Sequence, residues 1–150
     1  MTVRKQLPKH ISNAMDDLLK EAGMQFRAGE TLKSIDLSMK AWNLMPEPVE
    51  QWDFYPQVQS RNMIAKFVEL GDHQNAQKWI EIMAEMYDDP NHEDNLVLMT
   101  EAEAMYKLGD MNRAYYVFSR VFEIYGRRAF LGEKLPYLDF YLKEKAARHE

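Results

Sequence analysis

Three glycine turns constrain this chain more than any other feature. Ala28-Gly29-Glu30-Thr31, Leu70-Gly71-Asp72-His73 and Leu108-Gly109-Asp110-Met111 each close one apolar, helix-spaced stretch and open another. Glycine takes the left-handed conformation that ends a helix. Asp72 and Asp110 can then accept hydrogen bonds from the first amides of the following helix. Each site reads as a tight helix-turn-helix. Gly29 and Gly71 are 42 residues apart, and Gly71 and Gly109 are 38 apart.

The stretches between these turns are rich in Ala, Leu, Met, Glu, Lys and Gln, with apolar residues recurring every three or four positions. No segment alternates apolar and polar residues long enough to predict a strand. The expectation is an all-α chain of about seven helices, forming one domain over residues 1–150. A last helix at 133–147 carries Leu135, Leu138, Tyr141 and Leu142 on one stripe and would cap the array.

The joint spacing of small and turn residues resembles the tetratricopeptide repeat (TPR), a unit of about 34 residues made of two antiparallel helices. A first unit at 15–48 has Ala22 and Gly23, Gly29, Ser34, Ala41 and Pro46 at the family's positions. A second at 57–90 has Ile64, Ala65, Phe67, Gly71, Ala76, Ile80 and Pro90. A third at 95–128 has Ala102, Met105, Tyr106, Gly109, Ala114 and Phe118, with Gly126 where proline is usual. The resemblance implies hairpins stacked as a short right-handed solenoid. The chain departs from the pattern in its longer spacing, in lacking the first-helix tryptophan, and in placing Glu21 and Glu101 where leucine is usual. The extra residues lie at 46–56 and 88–95.

The net charge of −5 is unevenly distributed. Residues 51–112 carry four basic and twelve acidic side chains, a balance of −8, whereas residues 113–150 carry eight basic and five acidic, or +3. Such a middle disfavours phosphate backbones and would draw in a basic partner; an ordinary solvated surface gives the same balance. With no cysteine, the chain has no disulfide or thiolate metal site, which fits a cytoplasmic location. Neither a signal peptide nor a membrane span is predicted.

The sequence offers no catalytic constellation: no phosphate-binding glycine loop, no paired-histidine zinc motif, no nucleophile elbow. His10, His73, His92 and His149 are scattered over termini and loops and are expected to be solvated. The run 88–95 is dense in oxygen ligands, but lacks the alternation and glycine turn of a calcium loop. It reads as a solvated loop followed by a capping Asp94 or Asn95. No cofactor, no metal and no enzymatic activity is expected. Most of the eleven methionines are expected to fill core.

Candidate contact residues fall in three groups. Trp52, Phe54 and Tyr55 crowd the first long connection and either pin it to the core or form a hot-spot surface. Asp88, Asp89 and Glu93 supply charge in the second connection. The third group follows from the resemblance, which places ligand-facing positions on the first helix of each unit. These are Leu19, Gly23, Phe26 and Arg27, then Arg61, Ala65, Val68 and Glu69, then Met99, Glu103, Tyr106 and Lys107. The Lys and Asn set that clamps a peptide carboxylate in some TPR domains is absent.

The functional expectation is a non-catalytic protein-binding module, with the second and third units holding most of the contact. The stretch Arg127-Arg128-Ala129-Phe130-Leu131-Gly132-Glu133 through Pro136-Tyr137-Leu138-Asp139-Phe140-Tyr141 resembles small TPR-like immunity proteins of bacterial polymorphic toxin systems. That resemblance implies a partner that is a toxin domain, basic if the acidic middle contacts it. The alternative is an adaptor or chaperone-like protein holding an extended or amphipathic client segment.

Overall fold

The computed structural model describes residues 3–149 and is all-helical, as the periodicity predicts. Seven α-helices follow in order: α1 (Lys9–Arg27), α2 (Thr31–Trp42), α3 (Tyr55–Glu69), α4 (His73–Met86), α5 (Asn95–Lys107), α6 (Met111–Tyr125) and α7 (Leu135–Arg148). Short 3-10 turns lie at Val49–Gln51, Gly126–Phe130 and Gly132–Lys134. Among the described residues the one extended pairing is a parallel bridge between Lys5 and Trp52. No described helix is long and apolar enough to cross a membrane.

Helices α1 and α2, α3 and α4, and α5 and α6 pack as hairpins. All three glycine turns close in the same way. The amide three residues past each helix reaches back five positions: Glu30 to Gln25, Asp72 to Phe67 and Asp110 to Met105, at 2.8–2.9 Å. This closure needs a left-handed residue, and Gly29, Gly71 and Gly109 supply φ of 83°, 69° and 83°. Asp72 and Asp110 then accept from the amides of Asn75 and Arg113, and Asp94 caps α5 through Leu96 and Val97. The first turn lacks such a cap, because Glu30 stands at that place.

Contacts divide the chain into two compact units, Met1–Pro90 and Asn91–Glu150. In the first, Leu7, Met15, Ala41, Met45 and Trp52 form a buried cluster. Ser34 bolts α2 to α1 by donating to the Ala22 carbonyl at 2.7 Å. Trp42 and Trp79 meet edge to face at 5.1 Å, joining α2 to α4. In the second unit α7 docks by aromatic contacts: Tyr137 and Phe140 on Tyr106 and Phe118, and Tyr141 on Tyr115 and Phe122. Burying a side chain such as Phe118 contributes about 1.5–3 kcal/mol. Seven methionines are buried, while Met24 and Met111 are exposed.

The structure corrects the expectation for His92. Its ring is largely covered and lies 2.8 Å from Glu101, whose other oxygen accepts from Arg113 at 2.7 Å. Glu101 is only 2 % exposed. A carboxylate at a core position must be compensated, and the loop histidine folds inward to do so. Loop 91–94 is held further by α6: Arg120 donates to the carbonyls of His92 and Asn91, and Tyr125 to that of Glu93.

Candidate functional site

The first long connection is built into the fold from both sides. Residues 3–7 run alongside it. The Lys5 amide donates to the Gln51 carbonyl, and the Asp53 amide donates to the Lys5 carbonyl, each at 2.8 Å. Trp52 is buried and its Nε1 donates to the Pro46 carbonyl at 2.8 Å. Gln57, also buried, donates to the carbonyls of Trp52 and Met86. Arg4 reaches the Met86 carbonyl and the Asp88 carboxylate. For Trp52, then, pinning is the role the structure gives.

Phe54 behaves differently. It is 51 % exposed although its neighbours are anchored. Its backbone lies at φ 74° and ψ −62°, and the Tyr55 amide donates back to the Asp53 carbonyl at 2.9 Å. This is a γ-turn of the rare, strained kind. A bulky L-residue there costs of the order of 1–3 kcal/mol. The turn lays the Phe54 ring on that of Tyr55, centroids 5.2 Å apart and planes 29° apart. The half-buried Tyr55 is fixed in turn, its hydroxyl donating to Asp16 Oδ1 at 2.8 Å. Burial raises the Tyr55 pKa above the usual phenol value, and the Asp16 carboxylate adds to the shift. Asp53 is exposed, with Gln6 donating to one of its oxygens at 3.3 Å. The result is an exposed aromatic stack with Asp16 held on the Tyr55 hydroxyl and Asp53 preceding Phe54 in the chain.

The other candidate residues do not gather at one place. Met99 is core, at 5 % exposure. Glu103 accepts from Lys134 at 2.7 Å, and Tyr106 lies against Tyr137 and Phe140, so α7 engages both. Burial raises the Tyr137 pKa, and Glu103 and Tyr106 raise it further. Glu69 and Lys107 are exposed. Arg61 is half-buried, and its Nε is buried without a hydrogen-bond partner. Asp88 pairs with Arg4 at 3.1 Å, Asp89 is half-buried, and Glu93 lies 3.7 Å from Arg120.

The acidic balance of 51–112 is partly compensated within the fold. Asp72, Asp94 and Asp110 cap helices, and Asp88, Glu101 and Glu103 face cationic side chains. The Asp72 pKa is lowered by the Asn75 side chain and then by the Asn75 amide. Among the described residues no group of three or more His, Asp or Glu is arranged to hold a metal ion.

Three features escaped the sequence. The order of residues 3–7 depends on backbone bonds to a segment some 47 positions away, which leave no side-chain signature. Lys66 is only 7 % exposed, with its ammonium 5.3 Å from the Phe26 ring centroid, and burial pushes its pKa below the usual lysine value. A groove of about 490 Å³ runs between α6 and α7, lined by Tyr115, Ser119, Phe122, Glu123, Tyr141 and Lys145. No protein-family model, curated protein or solved structure matches this chain.

Proposed function

We propose that this chain is a non-catalytic protein-binding module that holds a basic protein, and most specifically a cytoplasmic bacterial immunity protein that neutralises a cognate toxin domain. The hairpins support the TPR-like reading, of which a right-handed solenoid is the proposed arrangement, and the resemblance of the tail around 127–141 supports the immunity reading. The observation that carries the proposal is Phe54. Folding gains little from an aromatic ring left half in water on a strained turn, whereas a partner gains a preorganised anchor. Asp16, on the hydroxyl of the stacked Tyr55, and the exposed Asp53 preceding Phe54 in the chain suit a basic partner. Co-expression with the protein encoded by the neighbouring gene tests this. The proposal expects a complex that survives purification, and cells protected from the neighbour's toxicity. Absence of both contradicts it.

A second reading, an adaptor for an amphipathic client, has one observation in its favour. The groove between α6 and α7 has an aromatic floor and a polar rim, the chemistry of a helix-binding groove. Binding of an unfolded or peptide client in preference to a folded neighbour would favour this second reading.

A further inference from the structure

The second unit contains a site that shows what the Phe54 platform is suited to hold. Tyr115 and Tyr116 are also consecutive aromatics, with ring centroids 5.2 Å apart. The Arg148 guanidinium lies over them, 4.3 Å from the Tyr115 centroid and 5.4 Å from that of Tyr116. It donates to Asn112 Oδ1 at 2.7 Å and pairs with Glu144 at 3.4 Å. Two adjacent rings, a carboxylate and a side-chain oxygen thus hold one arginine of the same chain.

Phe54 and Tyr55 are a second consecutive pair at the same ring separation, stacked at 29° where the tyrosines meet at 69°, with Asp16 on the Tyr55 hydroxyl and the exposed Asp53 next to Phe54 in the chain. Among the described residues no cation lies over Phe54. Neighbouring Lys5 is tied to the connection by its backbone, and Arg4 is engaged by Asp88 and the Met86 carbonyl. Building on the protein-binding reading above, we infer that the Phe54–Tyr55 pair is an arginine-reading site that takes an arginine side chain of a basic partner segment. The guanidinium stacks on the exposed Phe54 face while its N–H groups reach the Asp53 carboxylate. Arginine fits this better than lysine, because a planar guanidinium can stack and donate along two parallel bonds at once. An ammonium makes a point contact.

The test uses the full chain and three peptides of one Gly-Ser-spaced design, carrying three arginines, three lysines or three citrullines. Titrations followed by amide and aromatic NMR shifts at low ionic strength read the affinity and its location. The arginine peptide is expected to bind at least about threefold more tightly than the lysine peptide, with the largest shifts at Asp53, Phe54 and Tyr55. The citrulline peptide should not bind. Phe54→Gly fits the turn without strain, and it should abolish the arginine preference while leaving the rest of the spectrum unchanged. Asp53→Asn, nearly isosteric, should weaken the arginine peptide and leave the ring stack in place. Equal affinity for arginine and lysine, or shifts that fall away from Phe54, would overturn the inference. The neighbour-gene complex separates this failure from failure of the wider reading. A complex that forms and is indifferent to Phe54→Gly removes the arginine site and keeps the binding function. Arginine-selective shifts at Phe54 in a chain that forms no such complex keep the site and remove the proposed function.

Discussion

Two of the three consecutive aromatic pairs of this protein, Phe54-Tyr55 and Tyr115-Tyr116, have the same ring separation in different settings. Tyr115 and Tyr116 sit on a regular helix under the Arg148 guanidinium of α7, with Tyr115 buried and Tyr116 still 56 % exposed. Phe54 and Tyr55 sit on a strained turn and carry no cation of the described chain. The contrast extends to the units around them. In the second, Glu101 is answered by His92 and Arg113, Glu103 by Lys134, and Tyr106 by the rings of α7. In the first, Lys66 is buried against the Phe26 ring, and the Arg61 Nε is buried with no hydrogen-bond partner among the described residues. The buried carboxylate of the second unit is thus answered from within it, whereas the first unit holds an exposed ring on a strained turn, although Tyr116 of the second unit is itself exposed. The sequence-based expectation put most partner contact in the second and third hairpins. The geometry moves the emphasis to the connection before α3.

The largest test of this contrast is the Glu101 cluster. Arg113→Ala leaves a buried carboxylate with His92 and one partner fewer, and should cost about 1–3 kcal/mol in urea unfolding. Glu101→Leu removes the charge together with its need for partners, and should be neutral or stabilising. Loss of stability in both variants alike would show that the cluster is not internally compensated.

The next test reverses a usual order. Alanine normally stabilises relative to glycine, but at φ 74° it should not. Phe54→Gly should be more stable than Phe54→Ala by about 1 kcal/mol. The opposite order would mean that the turn relaxes and stores no strain. On the other pair, Arg148→Ala should cost about 1 kcal/mol through loss of its contacts with Tyr115 and Tyr116. That variant should leave partner binding at Phe54 unaffected.

The smallest expected effect concerns Lys66. Its pKa is lowered in the folded state, so between that value and 10.5 the folded chain binds fewer protons than the unfolded one. Stability should therefore rise with pH across this window. Lys66→Met should raise Tm at pH 7 by roughly 2–4 °C. The gain should fade as pH approaches 10.5. A gain independent of pH would assign the effect to packing instead.

The helices and their turns were legible because the signals are local. Gly71 followed by Asp72 ends one helix and caps the next, and Gly109 with Asp110 repeats it. The candidate site was half legible. The crowding of Trp52, Phe54 and Tyr55 marked the place, but which ring is buried depends on the sign of one φ angle. No propensity of phenylalanine reports that. The burial of His92 had one signal, the glutamate at position 101 where an apolar residue was expected. A misplaced charge in an apolar stripe asks for partners, and those partners lay nine and twelve residues on either side, out of register with the repeat.

The central claim is that a partner binds the first unit at Phe54 rather than the second unit beside α7. Hydrogen exchange of the chain, alone and in complex with the protein of the neighbouring gene, tests it most directly. The account predicts new protection over residues 52–58 on complex formation, and no change over 112–125. Protection over 112–125 with 52–58 unchanged would contradict it.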